Sequence, residues 1–161
     1  MANTSQKLID STRRVVYSFT GDAAEVRTLK INPGTLAFSM NANNRILGAG
    51  TDRKSQYRLA LKKVIYSING GPSDGFLQIS TDGDASPNTM LNLSGSGVMA
   101  FAEGGDDFTL AFPVAANSTG NIYFSTSTFF GNCSYSVIMD FRKNPADFDQ
   151  GQTADPTAFN R

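Results

Sequence analysis

Few residues in this chain are suited to catalysis. Among its 161 residues there is no His, no Trp and a single Cys, with 14 basic and 14 acidic side chains. Without His there is no Ser-His-Asp triad, no Cys-His dyad, no imidazole proton shuttle and no His-ligated metal. One Cys makes neither an intrachain disulfide nor a thiolate metal cage. Two acidic turns could offer oxygens to a hard cation: Asp82-Gly83-Asp84 and Glu103-Gly104-Gly105-Asp106-Asp107. Neither has ligands at alternate positions with a closing Glu, as a twelve-residue calcium loop requires, and Asp-Gly is a common turn pair between strands. No metal is therefore expected. Gly95-Ser96-Gly97 resembles a piece of a phosphate loop, but no helix follows it to supply an anion-binding terminus. Cys133 has no cationic neighbour in sequence to lower its pKa, so a buried structural thiol is expected rather than a nucleophile. Paired carboxylates for glycoside hydrolysis are disfavoured, since only two of the 14 acids are Glu and the Asp residues sit mostly in turns. The chain is expected to be no enzyme and to need no cofactor.

The basic residues point the same way. Arg13-Arg14, Arg53-Lys54 and Lys62-Lys63 are pairs without a continuous stripe, and the net charge is zero. A nucleic-acid platform would interleave them with exposed aromatics, whereas lysines guarding strand edges account for them as they stand. No direct nucleic-acid or membrane partner is expected. The first ten residues carry no apolar run of signal-peptide length, so the chain is expected to stay in the cytoplasm where it is made, unless an assembly carries it out.

The elements that would position any site have a period of two, the period of strands. Val15, Tyr17 and Phe19 alternate with more polar neighbours, as do Val26, Leu29 and Ile31 less regularly. Tyr57, Leu59 and Leu61 share one face; Val64, Tyr66 and Ile68 continue in the other phase. The slip at Lys62-Lys63 predicts a β-bulge or a crossing between sheets. Leu77 with Ile79, Leu91 with Leu93, Phe108 to Phe112, Ile122 with Phe124, and Tyr135 to Phe141 complete the series. Gly, Asn and Asp clusters separate these runs, so eight or nine short strands are expected in an all-β antiparallel sandwich or barrel. The sandwich domain is placed at 13–143. Residues 1–12 and 144–161 lose the periodicity and are read as N- and C-terminal arms. Each arm carries apolar residues with no core of their own: Leu8 and Ile9 on one, Phe148 and Phe159 on the other. These four are the candidate assembly contacts, ordered when a neighbour receives them; the alternative is disordered ends whose apolar residues are incidental.

The runs RRVVYSFTG, EVRTLKIN, LKKVIYSING, LNLSGSG with VMAF after it, STGNIYFST and YSVIMDFRKN, in that order, resemble small virion structural proteins of tailed phages, especially those of marine and cyanobacterial hosts. The likeness covers residues 13–143 with a gap around 33–56. Asn121 stands where the family often has Asp, and Tyr66 where Trp is also seen. The resemblance implies a head decoration or cement protein: an antiparallel β-sandwich of jelly-roll type, forming a homotrimer on the capsid exterior, bound to the major capsid protein and stabilising the shell. A tail, neck or fibre-associated virion protein is the alternative. A module binding carbohydrate or a host surface is the second, with Phe129, Phe130, Asn132 and the Asp82–Asp84 turn as its candidates.

Overall fold

The computed structural model describes residues 2–39, 57–82, 88–101, 110–111, 118–144 and 147–148. They form ten strands: β1 (Thr4–Asp10), β2 (Arg14–Gly21), β3 (Thr28–Ile31), β4 (Leu59–Asn69), β5 (Phe76–Thr81), β6 (Asn88–Leu93), β7 (Gly95–Ala100), β8 (Leu110–Ala111), β9 (Ile122–Ser127) and β10 (Ser134–Lys143). Two short 3-10 turns, Pro33–Thr35 and Gly71–Ser73, are the helical elements among the described residues.

One sheet has the order β1-β2-β10-β4-β7, with β8 also paired to β4; the other has the order β3-β9-β5-β6. Every pairing is antiparallel. The alternation read from the sequence decides what lies between the sheets. Phe19, Leu61, Val64, Val137, Met139 and Phe141 from the larger sheet are fully buried. So are Ile31, Leu77, Ile79, Leu93, Ile122 and Phe124 from the smaller one. The two layers touch where Phe19 meets Phe124 edge to face, with ring centroids 4.8 Å apart. Burying side chains of this size stabilises the fold by roughly 1.5–3 kcal/mol each, before the entropy of ordering them. The architecture is an all-β sandwich.

The phase slip in β4 is a bulge. Asp140 faces Lys63 and the next residue, Phe141, faces Leu61, so Lys62 is the extra residue. The bulge lets Leu61 and Val64 both enter the core. Because β4 lies inside its sheet, Lys62 and Lys63 are not edge lysines, a correction to the expected role.

Other expectations are corrected too. Residues 4–10 are not a loose arm: they are an edge strand whose register with β2 runs from Thr4 opposite Thr20 to Asp10 opposite Val15. The strand expected at 25–31 begins only at Thr28, and Val26 is 90% exposed, while Glu25 is buried. Gly95-Ser96-Gly97 is the first half of β7 rather than a loop between strands. Of the strand expected at Phe108 to Phe112, only Leu110–Ala111 lies within the described residues.

Candidate interaction surface

The four candidate contacts fall in three different situations. Leu8 and Ile9 are exposed on β1, and Leu8 is an extra residue there, because Lys7 faces Tyr17 while Ile9 faces Val16. Phe148 is not available to a neighbour. It is fully buried in this chain's own core, with its ring 5.4 Å from that of Tyr57. It also forms an isolated bridge with Ser39, and the Lys143 ammonium lies 5.2 Å from its ring centre. Its role as an assembly anchor on an arm is thereby corrected. Phe159 lies outside the described residues.

The turn that carries Phe148 inward is built from polar groups. Asp147 Nα–H and Phe148 Nα–H both donate to the Asn144 carbonyl, at 3.0 and 3.1 Å. The fully buried Asp147 carboxylate accepts from Arg58 Nα–H at 2.9 Å and from Arg58 Nε at 3.1 Å.

A second buried ionic group ties the end of β10 to the end of β1 and to Ala37. Lys143, with no exposed surface, donates to Asp10 Oδ1 at 2.5 Å, Ser11 O at 2.6 Å and Ala37 O at 2.7 Å. Asp10 Oδ2 accepts from Lys7 Nζ at 2.7 Å and Ala37 Nα–H at 3.0 Å. Burial alone would raise the Asp10 pKa, but these donors outweigh it and hold the carboxyl below its usual value. Burial pulls the Lys143 pKa down against the pull of Asp10. A third group sits between the sheets. Buried Glu25 accepts from Lys30 and from the Tyr135 hydroxyl, the latter at 2.8 Å, and burial with that bond pushes the phenol pKa up. The Asp147 and Lys143 groups are satisfied within the fold, whereas Glu25 keeps one buried oxygen, Oε2, without a hydrogen-bond partner among the described residues.

Asp82, weighed as a cation ligand, has a different task. Its carboxylate accepts from Ser118 Oγ at 2.8 Å, Thr119 Nα–H at 3.0 Å and Gly120 Nα–H at 3.2 Å, and from the Thr119 hydroxyl. Burial opposes these bonds, yet they keep the pKa low. Gly120 has φ +85°, and a Cβ there would stand 1.8 Å from Tyr57 O, so only glycine fits. Asp82 thus clamps one loop onto the end of β5. Cys133 is buried, its Sγ 3.1 Å from Gly70 O and 3.2 Å from Phe130 O, as expected of a structural thiol.

The set proposed for a sugar-binding module is dispersed. Phe129 is in the core, Asp82 is committed to its clamp, and Asp84 lies outside the described residues; Phe130 is 68% exposed. A shallow groove of about 380 Å³ near it is lined by Asn69, Gly71, Asp74 and Ser94 among others. The Asn69 amide there is already engaged by Asn132 O and Gly71 Nα–H.

What the fold does present is the outer face of the larger sheet, and its register lines that face up in rows. Thr4, Thr20, Ser136, Ser67 and Ser96 stand side by side on five successive strands, all exposed. Thr4 and Thr20 share a 2.7 Å hydroxyl contact. The next row is Gln6, Ser18, Ile138, Ile65 and Val98, with Ile65 40% and Val98 59% exposed. The third is Ile9, Val16, Asp140, Lys63 and Ala100, in which Val16 is buried, and there Arg14 clasps Asp140 through two 2.9 Å bonds. At normal strand spacing the rows run roughly 19 Å across. Sequence reasoning did not locate this face, although a signal was present. Val15-Val16-Tyr17, Val64-Ile65-Tyr66 and Val137-Ile138-Met139 are apolar triplets in strands, and a triplet must place its middle residue on the outer side.

Hydroxyl and aliphatic rows of this kind can meet another protein without stripping water from many charges. No helix among the described residues is long and apolar enough to cross a membrane, and no group of three or more potential metal ligands occurs among them. No family model, no curated protein and no solved structure matches the chain.

Proposed function

We propose that this protein is a structural component of a phage virion, a decoration or cement protein that binds the outside of the major capsid shell and stabilises it. The observation that carries the reading is the outer face of the larger sheet: five strands wide, rich in hydroxyls and aliphatics, with Leu8 and Ile9 exposed at its β1 edge. The ordered motifs that resemble small phage virion proteins give that face its partner. A cement protein works by adhesion. Many copies each make modest contacts, and neighbouring contacts on one shell reinforce one another through effective concentration. A rigid β core suits the task, since little ordering entropy is lost when it docks.

The test is the protein's place and copy number in purified particles, by imaging and quantitative mass spectrometry. Hundreds of copies on the head exterior are expected. About a dozen copies at the neck or tail would move the chain to the alternative virion role, and absence from mature particles would overturn both. Ser67→Arg combined with Ile65→Arg should lower head occupancy while leaving the purified protein folded.

A further inference from the structure

The two sheets have four long edges, and three are guarded in the same way. On β1 the extra residue is Leu8, flanked by the Lys7–Asp10 ion pair. On β3 it is Lys30, because Leu29 faces Tyr123 and Ile31 faces Ile122. On β6 it is Met90, because Ile79 faces Leu91 and Ser80 faces Thr89. A bulge in an edge strand breaks the regular row of outward main-chain groups and discourages another strand from adding to it. The fourth edge, β7, differs. It pairs with β4 in unbroken register from Gly95 opposite Ile68 to Ala100 opposite Lys63. Its six residues, Gly-Ser-Gly-Val-Met-Ala, carry no charge and no proline. No described residue pairs with its outer side, and β8, two residues long, pairs with β4 at Ala60 and Leu61 rather than with β7.

We infer that β7 is a pairing edge, and that its occupant is β7 of a second copy, added antiparallel about a two-fold axis at Val98. The hydrogen-bonding phase selects that centre. Phe101 Nα–H turns toward β4, donating to Lys62 O at 2.7 Å. Strand groups alternate, so Ser96, Val98 and Ala100 direct their N–H and C=O outward, enough for about six intermolecular bonds. Pairing Val98 with its own copy then sets Ser96 against Ala100 and Gly97 against Met99. The edge is complementary to itself. Gly97, whose Cβ side is taken by the Tyr66 ring of its own sheet, sets no side chain of its own against the partner's Met99, and a neutral strand meets its copy with no like charges opposed. On the outer face the aliphatic row Ile138, Ile65, Val98 runs on unbroken into the second copy.

This inference stands apart from the virion reading, and its two-fold pairing differs from the threefold association that the sequence resemblance implies. Light scattering with size exclusion on the full chain should give a dimer. Val98→Pro removes an outward N–H from each copy at a position where an edge strand accepts proline, and should weaken dimerisation about tenfold or more with the melting temperature of the monomer little changed. Val98→Lys is the second variant, should proline disturb folding. Val98→Cys should form an intermolecular disulfide on mild oxidation, since facing residues of such a pair lie about 5.5 Å apart, whereas Leu8→Cys on the guarded edge should not. A monomer at the highest soluble concentration, a trimer, or a dimer indifferent to both Val98→Pro and Val98→Lys would each overturn the inference.

Discussion

The two ends of the described chain carry similar sequence and meet opposite fates. Residues 4–10 and 144–148 are both polar stretches with isolated apolar residues and little periodicity. The first became a strand with almost every side chain exposed, held by its ladder to β2 and by Asp10. The described residues of the second form only an isolated bridge, Phe148 with Ser39, yet Asp147 and Phe148 are fully buried. The difference lies in what holds each segment. Main-chain pairing is indifferent to side-chain type, so β1 needs no alternating pattern. The described residues of this segment are held by a ring in the core, a carboxylate on Arg58 and the backbone bonds of Asn144. Apolar side chains on β1 stay exposed; the apolar side chain on the turn does not.

The sharpest way to break that contrast is Phe148→Ala. Removing a fully buried ring leaves a cavity beside Tyr57 and Lys143, and a loss of about 3–5 kcal/mol is expected, read by chemical denaturation. A value near zero would restore Phe148 to the surface. Next comes Asp10→Ala, which strands the buried Lys143 ammonium and should cost about 3 kcal/mol. Asp10→Ala also tests pH dependence. The folded Asp10 pKa lies below its ordinary value of 3.8, so its stabilisation is present above about pH 4 and is lost as pH falls through the folded value. Wild type and variant should therefore converge in stability on acidification. Asp147→Asn keeps the shape of the turn but weakens its charged bonds to Arg58, and about 1–2 kcal/mol is expected.

The core was legible in the sequence because it depends on period. Leu77 with Ile79, Ile122 with Phe124 and the four inward residues from Tyr135 to Phe141 alternate cleanly, and all are buried. The Lys62 bulge was legible as a change of phase. The buried ions were not. Glu25, Lys30 and Lys143 have the sequence profile of surface residues, and only the third dimension gives them Tyr135, Phe124 and Asp10 as company. The hydroxyl row was also hidden in the linear chain, since Thr4, Thr20, Ser136, Ser67 and Ser96 become neighbours only through register. Its aliphatic companions were half-visible, as the middle members of apolar triplets.

The smallest expected effect on stability separates β1 from the turn most cleanly. Leu8→Ser and Ile9→Ser alter side chains that are 48% and 39% exposed and leave the ladder to β2 intact. Each should change folding stability by no more than about 0.5 kcal/mol. If Leu8 and Ile9 serve adhesion, the same changes should lower occupancy on purified particles far more than they lower the melting temperature. The ratio of those two effects is the measurement, because residues kept for folding and residues kept for a partner differ in it. Phe148→Ala supplies the other limit, a large loss of stability with occupancy falling only as far as the folded fraction falls. A Leu8→Ser protein that melts early and binds normally would invert the assignment of the two ends.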